Sequence, residues 1–324
     1  MNIGLNVGYS HTKAIADERV ALFPSVVGTL DRARFSIERT DGLALLEPRE
    51  VLVGEEAVLQ SRFVNRREDR NWIAGEDWYI LALAALTELT TASVEARIVT
   101  GLPVAFYDDK QIVIDRLIGE HRVRRDGRNR QTITVTGVRV VPEPYGCLFD
   151  QLWDNRGVTR DAEMATAHVG IIDIGGKTTN LLSVHRITEI ARQTSSISAG
   201  AWDVVRSVRE WLHTHLPGLE PRDHALVRAI IAGTIHYRGE AVDLTAVVAG
   251  PAAHLAARVV SEASQLWDGA VDIDRILITG GGALLVGKHI AAHPEFPHAH
   301  IVDDPILTNA RGFWKYARYL AQRS

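Results

Sequence analysis

Two short segments of this 324-residue chain combine glycine, hydroxyl and lysine side chains in an order that suits the binding of phosphate groups. The first runs from Asn6 to Lys13, and the second from Asp173 to Thr179. Glycine lets the backbone approach a ligand closely, and successive N–H groups in a tight turn form a concave site for anionic oxygens. The pattern therefore predicts two phosphate-binding turns. Side chains that add hydroxyl donors or positive charge are Ser10, Lys13, Lys177, Thr178 and Thr179.

Asp173 is the carboxylate best placed for a metal ion, because it lies two residues before Gly175, the first glycine of the second turn. Mg²⁺ binds phosphates while it keeps much of its hydration shell, and a carboxylate can hold it through those waters. The alternative for either turn is an ordinary β-turn with a solvated lysine. Two such turns at corresponding places in the two halves of the chain favour the phosphate interpretation.

A third segment is an apolar run, Ile276–Thr279, that leads into Gly280, Gly281 and Gly282. Three consecutive glycines bring bare backbone against something flat or bulky, and a nucleotide base with its ribose fits that requirement. The alternative is a tight turn from a strand into a helix. Taken alone, the segment fits both interpretations.

The fourth segment is Val141-Pro142-Glu143-Pro144. A carboxylate between two prolines is held on a rigid piece of backbone. Such a residue can orient or deprotonate a water molecule. The alternative is a glutamate at a helix start, where the macrodipole favours negative charge.

Strands are predicted around both turns. The first turn follows a strand at Asn2–Val7 and is paired by a hairpin partner at Thr12–Asp17. Around the second turn, strands are predicted at His168–Ile174 and Asn180–His185, with a third near Glu189–Gln193. The repeat of strand, polar residue, glycine turn and strand indicates two similarly built domains.

The polar stretch 154–166 lacks periodicity and is interpreted as a linker. The first domain is accordingly placed at 1–153 together with a C-terminal helix, 309–324, and the second domain at 167–308. A further strand is predicted at Arg275–Thr279, directly before the three glycines.

Composition excludes several classes of protein. The net charge of −4 argues against direct nucleic-acid binding, since no basic excess is present. Cys147 is the single cysteine, so neither an intramolecular disulfide nor a cysteine metal cluster is available. The N-terminus lacks a signal-peptide layout, and apolar runs such as Ile80–Leu86 are far shorter than a membrane span. A cytoplasmic protein without a membrane segment is expected.

In this order the motifs resemble the superfamily of actins, Hsp-type chaperones and sugar kinases, and most closely the bacterial plasmid-segregation actins of the ParM/StbA type. The segments 6–13 and 173–179 resemble the two phosphate motifs. Val141–Pro144 resembles the start of the connecting helix that carries the water-activating Glu, and Gly280–Gly282 resembles the adenosine motif. Shorter matches are Phe23–Gly28, Val53–Ala57 and Asn309–Phe313.

The resemblance implies an α/β fold of two actin-like, ribonuclease H-like domains with a nucleotide cleft between them, and ATP or GTP with Mg²⁺ as the ligand. It implies that Glu143 and Asp173 are catalytic, with Glu143 orienting the attacking water. Asp173 and Asn6 are implied to lie beside the metal. The residues implied to hold the nucleotide are Gly8, Tyr9, Ser10, His11, Lys13, Gly175, Gly176, Lys177, Thr178, Gly280, Gly281 and Gly282.

One departure from the family pattern is Asn6, where the family usually has Asp. An Asn oxygen still accepts a hydrogen bond from a metal-bound water, but one negative charge beside the ion is missing. From the sequence alone, weaker metal binding and slower hydrolysis are expected.

The function implied by the resemblance is a filament-forming ATPase that segregates plasmid or other DNA. Its subunits would assemble head to tail, a contact that produces filaments when the rotation does not close. DNA would be reached through a DNA-binding adaptor protein rather than directly.

The sequence leaves two other functions open. A small-molecule kinase of the same superfamily needs a substrate-facing Asp, often in a Gly-x-Asp context, and neither Gly42 nor Gly127 is followed by one. A non-polymerising ATP-binding scaffold is the other, although the chain lacks the long substrate-binding extension of the chaperones.

Five arginines lie close together between residues 122 and 130. This arginine-rich segment could contact DNA, an adaptor or a neighbouring subunit, or it could be a solvated hairpin. Its members are Arg122, Arg124, Arg125, Arg128 and Arg130.

Overall fold

The computed structural model describes residues 1–30, 44–65 and 70–323. The chain divides into two compact units, one formed by Met1–Arg160 with Asn309–Ser324 and the other by Asp161–Thr308. Within the described ranges, no helix has both the length and the apolar composition needed to cross a membrane. Gly42, one of the glycines considered for a kinase motif, lies outside the described residues.

The described part of the first unit contains one ten-stranded sheet. Its strands are β1 (Asn2–Val7), β2 (His11–Ala16), β3 (Arg19–Pro24), β4 (Val27–Thr29), β5 (Ala44–Glu47), β6 (Val51–Val53), β7 (Val64–Asn65), β8 (Val94–Leu102), β9 (Gly119–Arg125) and β10 (Gln131–Pro142). Its first four α-helices are α1 (Glu55–Gln60), α2 (Glu76–Leu89), α3 (Lys110–Leu117) and α4 (Tyr145–Leu152). Short 3₁₀ turns occupy Arg70–Ala74 and Val104–Asp109.

The strand order in this sheet is β3-β2-β1-β8-β10-β9-β5-β6-β4-β7. Strand β1 is antiparallel to β2 and parallel to β8, and β8 is parallel to β10. Helix α2 packs against β1, β2 and β3. Most of α2 is buried, as expected for a helix that is apolar around nearly its whole circumference.

The described part of the second unit contains a six-stranded sheet and a two-stranded hairpin. The strands are β11 (His168–Ile174), β12 (Thr179–His185), β13 (Thr188–Glu189), β14 (Ser195–Ile197), β15 (Thr234–Tyr237), β16 (Glu240–Asp243), β17 (Arg275–Thr279) and β18 (Ala299–Ile301). The helices are α5 (Ala201–His215), α6 (Asp223–Ala232), α7 (Thr245–Leu266) and α8 (Ala283–Ala291).

The main path of the second sheet is β13-β12-β11-β17-β18, with β14 also paired to β12. Its first strand, β11, is antiparallel to β12 and parallel to β17, as β1 is to β2 and β8. Both sheets therefore place their first strand between an antiparallel second strand and a parallel crossover strand. The prediction of an α/β chain made of two similarly built halves is confirmed.

The predicted strand at Glu189–Gln193 is wrong. Only Thr188–Glu189 form a strand, and Ala191–Gln193 form a 3₁₀ turn. The backbone turns because the buried Gln193 bonds inward: its Oε1 accepts from Ser183 at 2.9 Å, and its carbonyl accepts from the Trp267 indole at 2.9 Å.

The last helix, α9 (Thr308–Ala321), packs on α4 with the two backbones in direct contact. A Cβ on Gly146 would lie 2.6 Å from the Cα of Asn309, and a Cβ on Gly312 would overlap the Gly146 carbonyl oxygen. Only glycine at both positions permits this approach. Helix α9 thereby holds the start of α4, which directly follows Glu143 and Pro144.

A buried ion cluster joins the same two helices. Asp150, on α4, is 2% exposed and receives two bonds of 2.7 Å from the Arg311 guanidinium. The Lys315 ammonium lies 2.7 Å from the same carboxylate. Burial lowers the pKa of Lys315, and the attraction of Asp150 opposes that effect. A charge removed from such a cluster leaves its partners buried and uncompensated.

We expect Asp150→Asn to lower the free energy of unfolding by about 3 kcal/mol or more, because two cations then lose their shared carboxylate. The matched control is Asp17→Asn. Asp17 pairs with Arg318 on the same helix, but its side chain is 66% exposed, so its loss should cost about 0–1 kcal/mol. Urea denaturation followed by circular dichroism measures both. An equal decrease in the free energy of unfolding in the two variants would contradict a larger contribution from the buried cluster.

Candidate functional site

The two glycine turns have the same hairpin geometry. Asn6 lies opposite Lys13 across β1 and β2, and Asp173 lies opposite Asn180 across β11 and β12. Four residues form each turn, 8–11 in the first unit and 175–178 in the second. An N–H bond closes both: Gly8 to the carbonyl of His11 at 3.2 Å, and Gly175 to that of Thr178 at 2.9 Å.

In the second turn, helix α5 binds the carbonyl groups. The N–H of Ala201 donates to the carbonyl of Gly175 at 3.0 Å, and that of Trp202 donates to Gly176 at 2.8 Å. In a trans peptide the C=O and the following N–H point in opposite directions. The N–H groups of Gly176 and Lys177 therefore point away from α5, in the same general direction. This is the arrangement that a group of anionic oxygens needs.

In the first turn, Ser25 takes the place that α5 has in the second. Its hydroxyl donates to the carbonyl of Gly8 at 2.6 Å, and its N–H donates to that of Ser10 at 2.9 Å. By the same peptide geometry, the N–H groups of Tyr9 and His11 point away from Ser25. The sequence contained Ser25 only within a short family-like segment, so its role in this turn was missed.

The side chains of the first turn have different surroundings. The Lys13 ammonium lies 3.8 Å from the position that a Cβ on Gly8 would take, so its charge is beside the turn. The Ser10 hydroxyl and His11 Nδ1 are 2.9 Å apart. The Tyr9 ring packs near Trp72, with 5.7 Å between the ring centroids. Tyr9 thus has a packing role, while Lys13 has the charge that phosphate requires.

Asn6 and Glu143 are brought together in the first unit. The Asn6 side chain is 2% exposed, and its Nδ2 donates to Glu143 Oε1 at 3.2 Å. The backbone of Glu143 is held at the end of β10, where its N–H donates to the carbonyl of Leu102 at 2.8 Å. Two residues that the sequence places 137 positions apart therefore form one polar pair.

In the second unit, the three glycines lie against the second turn. Gly280 has a φ of 87°, and a Cβ there would lie 2.5 Å from Asp173 Oδ1. The N–H of Gly282 donates to the carbonyl of Ile174 at 2.8 Å, and a Cβ on Gly282 would overlap the Ile174 side chain. A Cβ on Gly281, by contrast, would meet no atom within 4 Å.

The residues fit a hydrated Mg²⁺ better than a directly coordinated metal. The described residues contain no group of three or more His, Cys, Asp or Glu side chains that could hold an ion. Mg²⁺ usually needs one or two carboxylates, its own waters and the phosphates of its ligand. In the second unit, the buried Asp173 carboxylate meets the first part of that requirement.

The arginine-rich segment is largely used in local pairs. Arg124 and Arg130 both pair with Glu47, and the hydrogen bond and charge of Arg130 lower the pKa of that carboxyl despite some desolvation. Arg125 pairs with Glu88. The remaining two members also bond nearby, Arg122 to Glu120 and Arg128 to the carbonyl of Thr87. These bonds fix the arginine side chains to other residues of the same unit.

The environments of the three glycines predict different costs of substitution. Gly280→Ala should be destabilised by a few kcal/mol or more, since it combines positive φ with overlap. Gly281→Ala should leave the melting temperature within about 2 °C, because its Cβ enters open space. Thermal unfolding of both variants without ligand measures the difference. Equal melting temperatures would contradict the packing described for Gly280.

Two family models match the chain one after the other. The N-terminal domain of actin-like proteins matches residues 4–146, and the C-terminal domain of the archaeal MreB-like actin homologue matches residues 171–292. The first match includes Asn6 and Glu143, and the second includes Asp173 and Gly281. A comparison with curated protein sequences gave no match.

Solved structures share the fold over nearly the whole chain. The archaeal actin homologue Ta0583 has a TM-score of 0.82 at 20% identity, covering 98% of both chains. Its complex with ADP has a TM-score of 0.80 at 20% identity, covering 100% of this chain and 99% of the other. The subunit of a 15-stranded ParM filament from Clostridium botulinum has a TM-score of 0.80 at 22% identity, covering 98% of both.

At these identities the structural likeness establishes the fold, and the tandem family models establish the kinship. The predicted fold class, two actin-like α/β domains, is confirmed, and so is the resemblance to actin-like proteins of the ParM type. The chain therefore belongs to the actin-like proteins.

Proposed function

We propose that this chain binds a nucleoside triphosphate, ATP or GTP, with Mg²⁺ and hydrolyses it in a cycle of filament assembly. The observation that carries the proposal is the direction of the N–H groups in the two glycine turns. These groups, with the charges of Lys13 and Lys177, match the needs of phosphate oxygens. The ADP complex of Ta0583 supports a nucleotide as ligand of this fold.

Each predicted site residue has a role in this proposal. Asp173 would hold Mg²⁺ through its waters, the Asn6 oxygen would accept a hydrogen bond from a metal-bound water, and Glu143 would orient the attacking water and accept its proton. When bound, Mg²⁺ neutralises charge on the phosphates. The residues that contact phosphates are Gly8, Tyr9, Ser10, His11, Lys13, Gly175, Gly176, Lys177 and Thr178.

The adenosine or guanosine part of the ligand is assigned to Gly280, Gly281 and Gly282. Gly280 and Gly282 are glycines because protein atoms surround them, so they are not specific evidence for a ligand. Gly281 is different, since neither packing nor positive φ requires glycine there. Close approach of a ligand to the backbone accounts for the missing side chain at this position.

Self-assembly is proposed as the purpose of the nucleotide cycle. The ParM neighbour forms a 15-stranded filament, and we propose head-to-tail association of this chain as well. A role in plasmid or other DNA segregation in the cytoplasm would then require a DNA-binding adaptor. The net charge of −4 and the paired arginines support an adaptor over direct DNA contact.

A kinase is the weaker alternative. Besides the glycines considered above, the first unit contains one Gly-x-Asp sequence, Gly75-Glu76-Asp77. Asp77 lies in the first turn of α2 and is only 7% exposed. A base that deprotonates an external substrate must reach it, so a buried side chain is a poor candidate.

The proposal is tested by right-angle light scattering and pelleting over a series of protein concentrations, with Mg-ATP, Mg-GTP or no nucleotide. We expect scattering that depends on nucleotide and begins above a threshold concentration. Flat scattering together with measurable nucleotide binding would contradict the filament function and favour a scaffold. Phosphate transfer to a small acceptor would favour a kinase.

The assignment of Gly281 gives a second test. Gly281→Val should weaken binding of a fluorescent nucleotide about tenfold or more, because its side chain occupies the ligand's place, without a change in melting temperature. Gly250→Val is the matched control: a Cβ on Gly250 also meets no atom within 4 Å, but it lies in α7. Equal nucleotide affinity in the two variants would remove Gly281 from the site.

A further inference from the structure

We infer that Asn6 is a positioning residue for Glu143, in addition to any contact with a metal-bound water. The inference rests on the proposed function, in which Glu143 orients the attacking water. It starts from the bond of 3.2 Å between Asn6 Nδ2 and Glu143 Oε1. An ionised carboxylate can only accept a hydrogen bond, so the partner must be the amide N–H₂ of Asn6.

Both ends of this pair are anchored by backbone. Asn6 is 2% exposed, and β1 is bonded to β2 on one side and to β8 on the other. Glu143 donates its N–H to Leu102, and its carbonyl accepts from Gly146 at 2.9 Å. The remaining freedom of Glu143 lies in its side-chain torsions, and the bond from Asn6 restricts them.

A comparison of the two hairpins shows that Asn6 and Asp173 have different surroundings. Asn6 and Asp173 occupy the same position in their hairpins, each at the end of a first strand. In the second unit the residue opposite Asp173 is Asn180, whose Oδ1 accepts from the Ser196 hydroxyl at 2.5 Å. In the first unit the residue opposite Asn6 is Lys13, and Asn6 itself bonds to the carboxylate of Glu143. The amide of Asn6 thus donates to a glutamate that follows β10 in the same unit.

An Asp at position 6 could not make the same bond. Two carboxylates at this separation repel each other, so the Glu143 side chain would turn away or one of the acids would take up a proton. The new carboxylate could pair with Lys13, which lies directly opposite. Either result removes the hydrogen bond from residue 6 to Glu143. The family pattern predicts faster hydrolysis with Asp at position 6, and the geometry predicts the reverse.

The test compares the Asn6→Asp variant of the 324-residue chain with the wild-type chain in two measurements. In phosphate release, kcat should fall about tenfold, as expected for a displaced catalytic group. In binding of a fluorescent nucleotide, the Mg²⁺ concentration at half-saturation should stay the same or fall, because a negative charge has been added. A purely metal-binding role predicts instead that kcat and Mg²⁺ affinity rise together.

A double-mutant cycle with Glu143→Ala separates positioning from other effects. Glu143→Ala should lower kcat about 100-fold, as for the loss of a general base. In that background Asn6→Asp should change kcat by less than about twofold, since the group that it positions is already absent. Asn6→Ala removes the donor without adding charge, so it should lower kcat only when Glu143 is present. If Asn6→Asp fails to fold, Asn6→Ala still tests the positioning role.

The outcomes are distinguishable. A kcat that rises in Asn6→Asp, or that falls equally with and without Glu143, overturns the positioning role while the proposed hydrolysis stands. If the wild-type protein releases no phosphate above the protein-free background, the proposed hydrolysis fails and the positioning role fails with it. If it releases phosphate at the same rate as Glu143→Ala, hydrolysis stands but Glu143 is not its catalytic group, and the positioning role is overturned. A lower melting temperature with unchanged kcat marks Asn6 as structural only and also overturns the inference.

Discussion

The bonding of turn carbonyls from one side is the constraint on which the rest of the site depends. A glycine turn has as many carbonyls as N–H groups, so it attracts anions only if the carbonyls are bound elsewhere. The N-terminus of α5 binds those of Gly175 and Gly176, and Ser25 binds those of Gly8 and Ser10. The two units reach the same result with different means, one with a helix end and the other with a single serine.

Close backbone contact between helices also fixes the residues around the first turn. Gly146 and Gly312 let α9 lie directly on α4, and the buried cluster around Asp150 joins the same helices. Glu143 precedes α4, so its backbone lies at the end of a segment fixed by close packing. Asn6 completes the arrangement from β1. Rigid support of this kind suits the water-orienting role proposed for Glu143.

The likeness to other actin-like proteins is one of fold, at 20% and 22% identity to the structures compared above. A shared fold does not require that residues at equivalent positions have the same partners, and the two hairpins of this chain are an example. Asn6 and Asp173 occupy equivalent places in two hairpins of the same register, yet one donates to a glutamate and the other lies against the glycines after β17. The fold supplies the positions, and the side chain at each position decides the chemistry.

Local patterns in the sequence determined the elements with strong signals: the hairpins around both turns, β17 before its glycines, and the repeat of two α/β units. They also supplied the polar residues of the site, because glycine, proline and hydroxyl side chains have local conformational meaning. Local sequence patterns did not predict the long-range contacts. The bonds of Ser25 and of α5 to turn carbonyls, the contact of Asn6 with Glu143, and the inward turn at Gln193 all join residues through tertiary packing. A hydrogen bond between distant segments leaves no periodic trace in either one, and for that reason only the folded structure decided which glycines are required by packing and which are not.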